Sequence, residues 1–297
     1  MPRNIRNILC GTTANILSLT LYDIYRKTRP VKKKYFLVLI CFALSCTSNK
    51  YASTNKVYKR QAKGFGKIIS QSPVKDIYNT PSTWIGTTNF GMRKPNFVII
   101  HHTAQNSCEQ TLQTFTTAKS GVSAHYVICR DGTVHHLLND YLRAWHAGIG
   151  SWGNDKDINS SSIGIELDNN GYDSFPSAQI NSLLTVLDTL KIKYNIPGPN
   201  FIGHADIAPT RKSDPNVKFP WQLLSQNGYG IWYGDTTNIL LPDNFSSLQA
   251  LRIIGYSVRD SAAAIEAFKR HFEMQDSSRV LNDGDKKILY DLMIKNE

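Results

Sequence analysis

No Cys-x-x-Cys pair occurs among the five cysteines of this 297-residue sequence, so a cysteine-built metal site is not indicated. Long apolar runs are scarce as well. Tyr35 to Leu44 is apolar but too short to span a bilayer. Basic excess is also missing from most of the chain. Of the formal net charge of +11, +7 falls in residues 1–45 and only +4 on the rest, so the body lacks the footprint of a nucleic-acid binder. Neither disorder nor a fibrous repeat is suggested by 41% hydrophobic and 19% charged residues.

What is present begins with a targeting segment. The first thirty residues do not read as a signal, but Lys32-Lys33-Lys34 does, followed by the apolar Tyr35 to Leu44 and then Ser45-Cys46. A small residue and a cysteine directly after such a run resemble a bacterial lipobox, and cleavage before Cys46 would leave a lipidated N-terminal cysteine. Residues 1–46 are therefore read as an N-terminal extension with a lipoprotein signal. Residues 47–79, rich in Ser, Thr, Asn, Lys and Gln, are read as a flexible tether, with order beginning near Trp84. Cys108 and Cys129 remain for the exported part, as one disulfide or as two separate buried thiols.

Downstream, apolar runs alternate with turn signals. Asn96 to Ile100 reads as a buried strand ending in His101-His102-Thr103. Ser107-x-x-Gln110 is a capping-box pattern that opens a helix with Leu112, Phe115 and Ala118 on one face. Ala124 to Cys129, an Asp131-Gly132 turn and Val134 to Leu138 make a hairpin. Ser162 to Leu167 is a further strand. Ala178 to Tyr194 carries Ile180, Leu183, Leu184, Leu187 and Leu190 at helical spacing, and Asn200 to Gly203 leads into His204. The expected fold is α/β: a central mixed β-sheet flanked by helices over residues 80–228. Beyond it, Ser246, Asp260 and Asn282 cap three short amphipathic segments, predicting a small C-terminal three-helix domain over 240–297.

His101, His204 and Asp214 lie at or near strand ends, where side chains from distant parts of a chain converge. Two imidazoles and a carboxylate are a donor set for Zn2+ that leaves a fourth position open. Spacing alone carries little here. Four ordered strings carry more: Ile99-Ile100-His101-His102-Thr103, Ala144-Trp145-His146-Ala147-Gly148, Ser162-Ile163-Gly164-Ile165-Glu166, and Gly203-His204-Ala205-Asp206-Ile207-Ala208-Pro209 running on to Lys212-x-Asp214-Pro215. Together they resemble the type-2 N-acetylmuramoyl-L-alanine amidases, of the peptidoglycan recognition protein superfamily, and in particular their outer-membrane lipoprotein branch.

The resemblance covers about residues 80–225 and, more loosely, the C-terminal helices. It implies zinc held by His101, His204 and Asp214. It implies Glu166 as the proton acceptor and Lys212 as the partner of the oxyanion, with Trp145 and His146 lining a cleft for peptidoglycan or muropeptides. It also implies a periplasm-facing outer-membrane lipoprotein, attached to the membrane at Cys46, that degrades or remodels the wall, and a wall-binding role for the C-terminal helices. Two rival readings are a peptidoglycan-binding module without catalysis and a zinc peptidase acting within the stem peptide.

Asn216 stands where this family usually has glycine, which bears on the loop after Asp214. His102 and His125 are read as packing or hydrogen-bonding residues, and His135, His136 and His271 as surface or core filling. Asp206 suits either the orientation of a ligand or the cap of a turn.

Overall fold

Alternation along three parallel strands decides which side chains reach the site. The computed structural model describes residues 50–71, 85–274 and 278–296, with the backbone of a minimal antiparallel pair, β1 (Asp76–Ile77) and β2 (Thr80–Pro81). The apolar run Tyr35 to Leu44, Ser45-Cys46 and Trp84 lie outside the described residues. Within the stretch expected to be a tether, α1 (Ala52–Ile69) is an 18-residue helix with no buried residue. Its Ala, Lys, Gln and Arg residues favour helix without a core to pack on, and no proline interrupts it. The chain divides after Ile85, and residues from Gly86 onward form a compact unit of their own.

That unit is built on a five-stranded mixed sheet in the order β5-β4-β6-β3-β7. Its strands are β3 (Phe97–His102), β4 (Tyr126–Ile128), β5 (Val134–His136), β6 (Ser162–Leu167) and β7 (Phe201–Gly203). β3, β4, β6 and β7 run parallel, and only β5 is antiparallel, returning through the Asp131-Gly132 turn. On β6, Ile163, Ile165 and Leu167 face one side and Ser162, Gly164 and Glu166 the other, as period 2 requires. The first set joins Val98 and Ile100 of β3 in a core covered by α4 (Ser177–Tyr194) through Leu183, Leu187 and Leu190. On the opposite face Ile99 of β3 and Ile202 of β7 join a smaller apolar cluster with Ala147, Ile158 and Ile207. The site grows from that second face.

Helix α2 (Cys108–Thr116) starts where the capping pattern predicts. Ser107 Oγ accepts from the Gln110 N–H at 3.2 Å, while the Gln110 side chain returns to the Asn106 N–H at 3.1 Å, one residue earlier than the ideal box. Leu112 is buried, but Ala118 lies past the helix end in an exposed 3₁₀ turn. Cys108, the first residue of α2, is disulfide-bonded to Cys129, which follows β4, and this settles the pairing left open above. Three short helices had no periodic signal to announce them: α3 (Ile158–Ser161), α5 (His204–Ile207) and α6 (Trp221–Gln226).

The C-terminal helices are α7 (Ser247–Ile254), α8 (Ser261–Phe272) and α9 (Asp283–Lys295), capped by Ser246, Asp260 and Asn282. They share a core of Leu251, Ile254, Phe268, Phe272, Leu289 and Leu292, against which Trp152 and Trp232 also pack. Trp152 comes from the sheet-bearing part, and its indole fills the space where a Cβ on Gly255 would sit, at 2.3 Å. Gly255, just past α7, has φ of 133°, a conformation that glycine adopts without the clash a side chain would meet.

Candidate metal centre and cleft

The register of β3 and β6 places His101 opposite Glu166 on neighbouring parallel strands. Strand β7 delivers His204 as the first residue of α5, and the Ala205 N–H bonds the Asp214 carbonyl at 2.7 Å, which ties the Asp214 segment to the same turn. As a result His101 Nδ1 lies 2.9 Å from His204 Nδ1 and 3.1 Å from Asp214 Oδ2, and His204 Nδ1 lies 3.0 Å from Asp214 Oδ2. All three residues are buried.

The protons around these atoms can be assigned from their partners. His204 Nε2–H donates to the Ala147 carbonyl at 2.9 Å, leaving Nδ1 with its lone pair. The Ser162 hydroxyl donates to the Ile158 carbonyl, so at 3.2 Å it accepts from His146 Nε2–H. His146 Nδ1 is then an acceptor, and His101 Nε2–H donates to it at 3.0 Å, leaving His101 Nδ1 bare as well. Burial first, and then the neighbouring His204, lower His101 to about 4, so its ring is neutral near pH 7. In the neutral tautomers that these partners select, three lone-pair atoms face one another. Such a group repels itself unless a cation sits among them, and two imidazoles with one carboxylate are a donor set that suits zinc. The residues fit the metal that the resemblance implies.

Glu166 is buried beside this group. Burial, with the negative charge of Asp214 adding to it and Lys212 opposing it, pushes its carboxyl up to about 8. Lys212 is half-buried, and its ammonium makes no hydrogen bond or ion pair among the described residues. Both line a cleft of about 400 Å³ together with the three candidate ligands and Trp145. The Trp145 side chain stands 57% exposed on that wall, available to a ligand. His146 also borders the cleft, but it is buried and both of its ring nitrogens are already engaged. A Cβ on Gly164 would lie 2.4 Å from the His146 ring, so the glycine in the Ser-Ile-Gly-Ile-Glu string is what lets that imidazole lie flat on β6.

The sequence did not single out the groups that hold this wall. Asn159 Oδ1 accepts from the N–H groups of both His146 and Ala147, at 3.0 and 2.9 Å. Arg211 donates to the Ala147 and Ile149 carbonyls at 2.7 and 2.6 Å. His102 points away from the metal group and accepts from the Asn216 N–H at 3.0 Å. Asn216 does not adopt positive φ. Its amide donates to the Asp173 carbonyl at 3.2 Å, so it serves as a hydrogen-bonding residue in the loop. His125 Nδ1 accepts from the Gly164 N–H and its Nε2–H donates to the Leu142 carbonyl, at 3.1 and 3.0 Å.

Residues 91–217, which hold every candidate above, match the N-acetylmuramoyl-L-alanine amidase family. The chain is 34% identical to a member from Escherichia coli over 59% of its own length and 74% of that protein's. It belongs to the N-acetylmuramoyl-L-alanine amidase family, enzymes that hydrolyse the amide bond between N-acetylmuramic acid and L-alanine. That relative is the amidase AmiD. Its structure in complex with anhydro-N-acetylmuramic acid-L-Ala-D-gamma-Glu-L-Lys superposes with a TM-score of 0.62 at 28% identity, covering 71% of this chain and 93% of AmiD. AmpDh3 of Pseudomonas aeruginosa gives a TM-score of 0.63 at 29% identity, over 75% of this chain and 98% of that one. The 1,6-anhydro-N-acetylmuramyl-L-alanine amidase AmpD of Citrobacter freundii is 40% identical over 34% of this chain, which spans 54% of AmpD.

Proposed function

We propose that this amidase depends on zinc held by His101, His204 and Asp214, and that it cleaves muramyl peptides at the bacterial envelope. The observation that carries the reading is the convergence of three metal-donor atoms within 3.1 Å of one another. Zinc bound there would polarise the amide carbonyl and make water acidic enough to attack near neutral pH. The chain's own residues supply the rest. Glu166, buried beside the metal group and held as a carboxylate once a dication is bound there, takes a proton from the attacking water and hands it to the leaving amine of L-alanine. Lys212 offers its ammonium to the developing oxyanion; removing one such donor typically costs about a hundred- to a thousandfold in rate. Trp145 gives the sugar or the stem an apolar face. His146, with both nitrogens engaged, orients His101 and borders the substrate.

Two features extend the reading. AmiD and AmpDh3 have been captured with anhydromuramyl peptides, which supports muropeptides as the substrate class here. The lipobox-like Ser45-Cys46 supports anchorage through a lipid on Cys46, with the following residues as a spacer. Incorporation of labelled palmitate that a Cys46→Ser chain loses is the expected result; equal labelling of both would rule out the anchor.

The deciding experiment incubates the protein with muropeptides before and after chelation, and again after zinc is restored, with products read by mass spectrometry. Stem peptide with a free L-alanine amine is expected. Its release should stop with chelator, return with zinc and drop at least a hundredfold in Glu166→Gln. Cleavage inside the stem would identify a peptidase, and binding without cleavage would leave a recognition module.

A further inference from the structure

We propose that Tyr256 and His271, in the C-terminal helical part, are positioning residues for the metal ligand His204. The inference rests on the metal-centre reading above.

The link is Asp206, two residues beyond His204 and 2% exposed. Its carboxylate accepts three hydrogen bonds. One is local: the Gly203 N–H reaches Oδ2 at 2.8 Å and caps α5. The other two arrive from 50 and 65 residues downstream, the Tyr256 hydroxyl on Oδ1 at 2.7 Å and His271 Nδ1–H on Oδ2 at 2.8 Å. α5 is a single turn whose first residue is His204, and its Ala205 N–H holds the Asp214 carbonyl. Two of the three candidate ligands therefore hang on a four-residue turn, too short to hold itself, whose cap is gripped from the C-terminal helices.

The surroundings of the grip are specific. The His271 ring stacks on Trp221 at 3.9 Å between centroids, and Trp221 in turn closes on Gly203, where a Cβ would lie 3.0 Å from the indole. His271 Nε2 is buried and has no hydrogen-bond partner among the described residues. A phenylalanine would fill that stack without leaving a buried nitrogen unpaired. What the imidazole adds is the donor to Asp206. Tyr256 follows the same pattern: its ring packs edge-on against Trp152 and Phe268, and its hydroxyl is spent on Asp206. Both residues thus place one polar atom, in an otherwise apolar setting, on one carboxylate behind the ligand turn.

The test titrates zinc, and separately cobalt(II), into the metal-stripped full chain. Tyr256→Phe removes only the hydroxyl. His271→Phe keeps the stack and removes the donor, while His271→Asn returns an N–H close to the place of Nδ1. Leu289→Ala loosens the core of the C-terminal helices from α9, an element that supplies no donor to Asp206. The expected result is a zinc dissociation constant raised about tenfold in Tyr256→Phe and His271→Phe. The cobalt(II) visible spectrum should change in both and recover in His271→Asn. Leu289→Ala should lower the melting temperature but leave affinity and spectrum alone.

Wild-type affinity and spectra in the two donor-removing variants would overturn the proposal. So would a Leu289→Ala chain that binds zinc as weakly as they do, because the effect would then be general loosening. Should His271→Phe fail to fold, Tyr256→Phe decides. A wild type that binds no zinc, or whose binding survives His101→Ala, overturns the metal-centre reading and this inference with it. Binding lost in His101→Ala but untouched in Tyr256→Phe and His271→Phe overturns this inference alone.

Discussion

Glu166 holds its proton far above the range of an exposed glutamate because its side chain is buried and Asp214 lies nearby. That has a consequence for stability that can be separated from catalysis. Below about pH 4.5 the carboxyl is neutral whether the chain is folded or not. Between there and about 8 the unfolded chain releases a proton that the folded chain retains, so stability falls as pH rises. Above 8 the penalty is complete. In the metal-free protein, Glu166→Gln should therefore gain on the wild type as pH climbs from 5 to 8, by on the order of a few kcal/mol, and the gap should level off beyond. Denaturant unfolding of both chains at four or five pH values would check it, and a gap that does not vary with pH would refute it. A bound dication beside Glu166 favours the carboxylate, so zinc should shrink the effect.

Among the elements, α2 is the one most dependent on a covalent tie. It is nine residues long, buries only Thr111 and Leu112, and is pinned to the residue after β4 by Cys108–Cys129 across 21 positions. A crosslink closing a loop of that length stabilises by about 3 kcal/mol, chiefly by restricting the unfolded chain. Replacing both cysteines with serine should lower unfolding free energy by about that amount while leaving the affinity for zinc intact, since α2 carries no candidate ligand. The elements also differ in how plainly the sequence announces them. β6 coincides with its predicted span, and α4 begins one residue early, because strict alternation and a sustained 3.6 period are signals a chain carries locally. α1 arose in a stretch read as tether, because its few large apolar residues, Val57, Phe65, Ile68 and Ile69, are all exposed and its composition is otherwise polar. α5 is a single turn, and four residues have no period. The candidate ligands were legible through their strings. The protons that orient them were not, because Ser162, Asn159 and the Ala147 carbonyl act through contacts between separate segments, which leave no pattern in the sequence.

For the whole unit from Gly86 onward, the seam between the sheet and the C-terminal helices is part of the interior. Trp152 packs against the helical core, the Gly153 N–H bonds the Gly255 carbonyl at 2.8 Å, and Asp206 is completed from α8 and from the residue after Gly255. An appendage on a linker would unfold separately. Here one cooperative transition is expected, with near-UV and far-UV dichroism giving the same midpoint and slope in denaturant. Two separated transitions would show that the helices form an independent domain.

The row of hydrogen bonds from the Ile158 carbonyl through Ser162 and His146 to His101 has a polarity: every proton in it points away from the three-atom group. Protons and metal ions ordinarily compete for imidazole lone pairs, and a site that must first expel a proton loses affinity as its surroundings acidify. Here the row leaves His101 Nδ1 open, and burial holds His101 neutral down to about pH 4. A metal bound there should therefore not have to displace a proton from His101 as the medium acidifies toward pH 5, which a zinc affinity that varies less with pH than that of an exposed imidazole would show.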